Sequence, residues 1–344
     1  MYPSPEMPAY GVFVKNFVGS IQDQKDMEIT SFSLISGRRK GITSIFTYVR
    51  FFFDIFFKSN FGKHDLIYVH FVKHSLLPLN LWWRRADKKL VLNAHGTDIL
   101  GKGKVADLFR NTNNRLMRNA DLFVVPSDFF ISKIQHLGIE RRKIFVSASG
   151  GINPNIFYPS NDKNPNTGKI GYFGRLDSGK GFDVLLNAFL EIYEKHDLQL
   201  EVIGGGELEN HFNSYCSELR INNRIMFRGM LQQTQSADLI RNWDLMVFPS
   251  ELEESLGLVG LEAMACGVPV VGSNIGGITT YLINNLNGFT FEKGDAKELK
   301  NKILNYYLMD EKEQRFLSNN AIQTSKDFEI QKVSERLSSK LRSL

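Results

Sequence analysis

The sequence predicts an α/β protein made of two doubly wound, parallel-sheet halves, and three observations predict it. Short apolar runs of strand length alternate with stretches of helical periodicity along most of the chain. Several runs end in glycine turns that lead straight into a helical pattern, as right-handed β-α-β crossovers require. A polar joint, Gly150-Gly151-Ile152-Asn153-Pro154 followed by the Asn-, Pro- and Lys-rich stretch 160–168, divides the series in two.

In chain order, the first half carries strand candidates at 65–71, 89–94, 121–126 and 143–147. The second half carries them at 169–173, 199–204, 224–228, 244–249, 268–272 and 288–292. Before these lies 37–61, which begins basic at Arg38, Arg39 and Lys40 and then becomes rich in phenylalanine. Its polar residues Arg50, Asp54 and Lys58 fall four apart, a single stripe on an otherwise apolar helix. Two readings stay open: a helix packed within its own domain, or one lying on an anionic membrane face. The opening, Met1 to Val14, holds a glycine turn at Gly11 with no apolar strand before it. The first strand of a doubly wound half is central, so a strand encoded upstream of Met1 is expected, unless that strand is dispensable or 27–34 moves in to fill its place. At the other end Ile330, Val333, Leu337 and Leu341 mark an amphipathic helix in 328–344.

A chain of 344 residues accommodates two domains, and its 42% hydrophobic and 23% charged content is that of a globular protein. A net charge of +5 permits anionic substrates or an anionic membrane face. Nucleic acid is excluded as a partner, because no stretch interleaves Lys and Arg with aromatics as a base-stacking surface does. The two cysteines, Cys216 and Cys266, lie far apart and match no metal spacing, which fits a reduced, cytoplasmic compartment. No apolar run reaches the roughly 18 residues that a membrane-crossing helix needs.

Chemistry concentrates in 250–277. Glu254 and Glu262 bracket a Leu256-Gly257-Leu258 turn that opens a helix over Leu258–Ala265, stopped by Gly267 and Pro269. Glu254 therefore sits on the loop after one parallel strand and Glu262 inside the helix that follows, at the carboxyl edge where such sheets bind ligands. The amides of Leu258 and Val259, at the helix start, suit a phosphate. The bland reading is a surface helix with two solvated acids. A second cluster, Gly174-Arg175-Leu176-Asp177-Ser178-Gly179-Lys180-Gly181, joins strand 169–173 to a helix and sets two cations at one strand end. Its order fails the Walker A pattern. Gly204 lies in a glycine turn after 199–203, and Met230 follows the strand at 224–228. His95 begins His95-Gly96-Thr97-Asp98 at another strand end, and His70, ending the preceding strand, reads as structural.

The E-x7-E arrangement, the Gly174–Gly181 cluster and the His95-Gly96-Thr97-Asp98 element together resemble the retaining family-4 glycosyltransferases (glycosyl transferases group 1) of bacterial surface-polysaccharide type. The 151–159 segment is similar to that family's interdomain linker. The resemblance implies the GT-B fold, in which two Rossmann-like domains face across a cleft and the last helix crosses back to the N-terminal domain. It implies an acceptor-side domain at 1–152 completed by 328–344, and a nucleotide-sugar domain at 153–327. It further implies that Glu254 hydrogen-bonds the donor sugar, Glu262 holds the ribose, Arg175 and Lys180 neutralise the diphosphate, and His95 lies beside the reacting sugar. Gly11, Gly174, Gly204, Met230, Leu258 and Val259 then line the donor. The acceptor expected is a saccharide or lipid-linked saccharide; no cofactor or metal is expected, and no D-x-D occurs. One departure is that Thr279-Thr280 follows Ile275-Gly276-Gly277 where the family carries Pro-Glu, which predicts altered local packing. A sugar-nucleotide epimerase of the same fold, or an inactive nucleotide-sugar-binding subunit, are the alternatives.

Overall fold

The structure is a computed structural model that describes residues 2, 11–24, 26–37, 42–72, 75–82, 87–100, 104–148, 150–160 and 166–344. Arg38, Arg39 and Lys40 and the opening at 3–10 lie outside the described residues. The chain divides into two compact units, Met1–Gly151 with Ile330–Leu344, and Ile152–Glu329.

The sheet of the first unit runs β1 (Leu66–His70), β2 (Lys89–Asn93), β3 (Leu122–Val125) and β4 (Ile144–Val146), all parallel and in that spatial order. Alternate residues point to opposite faces, and both faces are covered. Leu90, Leu92, Phe123 and Val125 pack with Phe130 and Ile134 on one side, while Val91, Leu122 and Val124 pack with Ile21, Leu337 and Leu341 on the other. Burial on both faces is why these strands read as unbroken apolar runs. The C-terminal helix Ile330–Arg342 is thus part of this unit, its Val333, Leu337 and Leu341 buried. Among the described residues no strand pairs with the outer edge of β1. The segment 27–34 has no strand structure, and only its Met27 and Ile29 pack against the sheet.

Helix Ile42–Phe61 exposes apolar residues as well as its polar stripe. The polar stripe is at least partly exposed: Lys58 and Asp54, 39% and 36% exposed, pair at 2.7 Å, and Lys58 donates to the Phe32 carbonyl at 2.9 Å. The outward face carries Ile45, Phe46, Val49, Phe53, Phe57 and Phe61 beside Arg50. Among the described residues no helix is long and apolar enough to cross a membrane.

The second unit has six parallel strands: β5 (Lys169–Phe173), β6 (Gln199–Ile203), β7 (Ile225–Phe227), β8 (Leu245–Phe248), β9 (Val270–Ser273) and β10 (Gly288–Phe291). Their spatial order is β10-β9-β8-β5-β6-β7, a doubly wound sheet that reverses direction between β5 and β8. Beneath it Trp243 is fully buried, and its ring NH donates to Glu201 at 2.7 Å. Arg228 pairs with the other oxygen of that buried carboxylate at 2.6 Å, so neither oxygen is left without a donor. Gly171 is the residue that admits the indole: a Cβ there would stand 1.9 Å from it.

Candidate active site

The strand order of the second unit reverses between β5 and β8, the point at which such sheets bind ligands, and the loops leaving those two strands come together there. Lys180 comes from the first loop and Glu254 from the second. They meet with Nζ 2.7 Å from Oε1, both side chains mostly covered at 17% and 16% exposure. Ser250 donates its hydroxyl to the same oxygen at 2.8 Å. The Glu254 carbonyl accepts from the Gly277 amide at 2.8 Å, which brings the loop after β9 to the same point. The loops can approach this closely because Gly181 (φ 70°) has no Cβ; one would lie 1.8 Å from the Pro249 carbonyl oxygen.

Arg175 takes a different position. Its guanidinium is exposed and pairs with Asp177 at 2.6 Å, and Asp177 also accepts from the Glu207 amide at 3.0 Å. Asp177 therefore ties the loop after β5 to the loop after β6. Three strand ends close on one another through glycines: the Gly174 amide donates to Ile203 and the Gly204 amide to Gly229, at 3.0 and 2.9 Å. At Gly204 (φ 131°) an added Cβ would collide with the Gly174 carbonyl oxygen. Met230, just beyond, is 81% exposed.

The helix after Glu254 spans Leu258–Ala265, with Gly257 in the left-handed region at φ 82° before it and no side-chain cap. Its first amides are thus presented without an internal acceptor. The Gly257 carbonyl accepts from the Tyr281 hydroxyl at 2.9 Å. Glu262 lies in the second turn. Its partner is the Gln233 amide at 3.5 Å, and burial pushes its carboxyl up to about 7, against the smaller effect of that contact. The two glutamates keep different company: Glu254 a cation and a hydroxyl, Glu262 a neutral amide. The Gly276–Thr280 turn is held by Thr279, whose hydroxyl donates to the Gly276 carbonyl at 2.9 Å. A residue of the departing Thr-Thr pair thus closes the turn itself.

In the first unit, His95 and His70 meet at the ends of β2 and β1, Nε2 to Nδ1 at 3.0 Å with the rings stacked. Asp98 holds the backbone around them, accepting from the His95 amide at 2.9 Å and the Val72 amide at 3.0 Å. Burial lowers His95 to about 3, lowers His70 well below its ordinary value, and raises Asp98 to about 6 against its backbone donors. Gly11, with φ 76°, caps helix Val12–Gln22, whose Phe17 lies edge-on to the His70 ring.

Lys180 and Glu254 are thus brought into contact, while Arg175 pairs with Asp177, Glu262 with Gln233, and Met230 is exposed. Ser250, Gln233, Tyr281 and Asp177 are additional residues of the second unit's site, and His70 of the first. No local pattern marks Gln233 or Tyr281. Ser250 and Asp177 were within reach, since one directly follows a strand-end proline and the other lies inside the glycine-cation cluster.

A family model described as glycosyl transferases group 1 matches residues 156–324, and one described as glycosyltransferase family 4 matches residues 20–150. An uncharacterised glycosyltransferase of Methanocaldococcus jannaschii is 28% identical over 261 residues, 72% of this chain and 68% of that protein. The capsular polysaccharide biosynthesis glycosyltransferase CapM of Staphylococcus aureus is 33% identical over 137 residues, 39% of this chain and 35% of CapM. The chain spans about a third to two thirds of the length of such curated relatives. Among solved structures, Anabaena HepE in complex with UDP superimposes with a TM-score of 0.72 at 22% identity, covering 87% of this chain and 82% of HepE. That likeness is one of fold, and the two parallel-sheet α/β units are those of the GT-B class.

Proposed function

Because the chain belongs to the group 1, family 4 glycosyltransferases, we propose that it transfers a sugar from a nucleotide-sugar donor to a saccharide or lipid-linked saccharide, with retention of anomeric configuration. The observation that carries this reading is the Lys180–Glu254 pair, set at the switch point of the second sheet beside the uncapped helix start at Leu258. Glu254, held by Lys180 and Ser250, presents its carboxylate to donor-sugar hydroxyls. Lys180, Arg175 and the amides of Leu258 and Val259 stabilise the departing diphosphate, so the protein's own charges do the work a metal ion does elsewhere. Glu262 accepts from the ribose hydroxyls, Gly174, Gly204 and Met230 border the nucleotide, and His95 is the catalytic candidate of the first unit. Residues 153–327 take the donor in this reading, and 1–152 with 328–344 the acceptor.

The class of acceptor is supported by CapM, a capsular polysaccharide biosynthesis enzyme, and the nucleotide by the UDP bound to HepE. Work at the cytoplasmic face of a membrane is part of the same proposal. The outward phenylalanines of Ile42–Phe61 support it.

A panel of nucleotide sugars, with UDP and UDP-glucose first, tests the proposal by thermal stabilisation and turnover. A ligand that binds the native state raises its stability by mass action. One donor is expected to raise the Tm and be consumed. Arg175→Ala is expected to lower kcat/KM roughly 10- to 150-fold, the worth of a charge-assisted hydrogen bond. Nucleotide binding with no transfer to any acceptor would instead indicate a binding subunit.

A further inference from the structure

Beside the histidine pair of the first unit lies a small cavity of about 10 Å³, the room one water molecule needs. Phe17, Ser20, His70, Asn93, Ser147 and Ser334 are among its walls, Ser334 being contributed by the C-terminal helix. Two buried polar atoms on this wall have no hydrogen-bond partner among the described residues, His70 Nε2 and Asn93 Oδ1. Buried polar atoms are otherwise nearly always paired, and leaving one unmade is costly.

From this juxtaposition we infer that one water bridges His70 Nε2 and Asn93 Oδ1, and that His70 is thereby a positioning residue that fixes the tautomer of His95. The donor inventory sets the direction. Asn93 has given its amide to the Tyr68 hydroxyl at 2.9 Å, so its oxygen is an acceptor toward the cavity. Ser20 donates to the Phe17 carbonyl and Ser334 to the Gln331 carbonyl, both at 2.9 Å, which leaves their oxygens as acceptors too. A water among acceptors spends its two hydrogens on them and takes its own from the imidazole, so His70 carries its proton on Nε2. His70 Nδ1 is then an acceptor, and the 3.0 Å contact is a hydrogen bond donated by His95 Nε2. His95 is left with its proton on Nε2 and an unprotonated Nδ1. Burial, which keeps both rings neutral, is consistent with a one-proton bridge. Asp98 fixes the backbone of His95 while His70 fixes its ring, and the returning C-terminal helix lines the cavity on which this depends.

The tautomer stands independently of any substrate; its bearing on turnover rests on the proposed function. The full-length, ¹⁵N-labelled protein without ligand is expected to show His95 protonated at Nε2 and unprotonated at Nδ1 in ring-nitrogen correlation spectra. His70→Leu should abolish that fixed tautomer. His70→Asn, whose side-chain oxygen can take the place of Nδ1, should retain it, and so should Ser147→Ala, which removes the other hydroxyl on the wall. With the donor found in the panel, His70→Leu should lower kcat roughly three- to tenfold at unchanged donor KM, and His70→Asn should recover it. His95 protonated at Nδ1 in the wild type, a tautomer that changes in Ser147→Ala, or one unaltered in folded His70→Leu, overturns the inference. A correct tautomer with kcat unmoved by His70→Leu overturns the positioning role. If His70→Leu does not fold, the wild-type, His70→Asn and Ser147→Ala spectra decide. A chain that uses no nucleotide sugar defeats the proposed function and leaves the tautomer to stand or fall by its spectrum.

Discussion

Glu254 and Glu262 have the same side chain and opposite electrostatics. Lys180 gives Glu254 a cation at 2.7 Å, whereas Glu262 has the neutral Gln233 amide at 3.5 Å, and desolvation raises its carboxyl from 4.5 to about 7. A ribose hydroxyl donates hydrogen bonds, which favour the ionised carboxylate. Nucleotide binding must then draw the proton off Glu262 wherever the free protein still holds it. UDP affinity is accordingly expected to rise roughly tenfold from pH 6 to pH 8 through this group, with proton release at the lower pH. The phosphates of UDP titrate as well, but equally for wild type and Glu262→Gln, so the difference between the two slopes isolates the glutamate. Calorimetry in buffers of contrasting ionisation enthalpy reads both quantities. Identical slopes in the two proteins would remove Glu262 from the ribose site.

Helix Ile42–Phe61 shows what a local pattern can and cannot specify. Its periodicity marks a polar stripe, but it does not show that Ile45, Phe46, Val49, Phe53, Phe57 and Phe61 are exposed as well, nor that Lys58 donates to the carbonyl of Phe32, 26 residues away. The strands were legible because burial leaves them few polar positions, Asn93 and Glu201 among them, and the Leu258–Ala265 helix because a glycine marks each end. β9 begins at Val270, past the expected 268: Pro269 has no amide to donate to a ladder, although its carbonyl still accepts from Met246 at 3.0 Å. In the site, the glycine-and-charge clusters were legible, whereas the His70–His95 contact and the Gln233–Glu262 contact join distant segments and leave no spacing to read. The outward face of the helix yields a prediction of its own. Phe46, Phe53 and Phe57 are 71%, 56% and 58% exposed, so replacing all three with Ser should shift thermal stability by little. On an interfacial helix the same change should weaken binding to anionic vesicles at least about tenfold. A triple variant that sediments with vesicles as the wild type does would assign the face to something other than lipid.

At the scale of the whole molecule the two units carry opposite proton linkage. In the first, His70 and His95 are neutral when folded but take up a proton at about 6.5 when unfolded, His95 being lowered to about 3. The stability that these groups contribute is complete above 6.5 and is lost as pH falls through it. His64 of the same unit is lowered as well, by burial and by Lys88, and acts in the same sense. Asp98, raised from 3.8 to about 6, works against them, since its burden lightens as pH falls, but it is one group against two deeply shifted imidazoles. In the second unit Glu262 is raised to about 7, so folding holds a proton that the unfolded chain releases above 4.5. Its contribution is complete below 4.5 and is lost as pH climbs to about 7. Moving from pH 7 to pH 5 should therefore weaken the first unit and strengthen the second, by roughly 2 kcal/mol each through these groups. Native-state hydrogen exchange separates the units within one intact chain, with the amides of β2 and β3 reporting the first and those of β8 and β9 the second. Protection should fall in the former and rise in the latter once intrinsic exchange rates are divided out. Glu262→Gln should flatten the response of β8 and β9 while leaving that of β2 and β3 as it was. Protection that moves in the same direction in both sheets would mean that groups other than these govern the pH response of the fold.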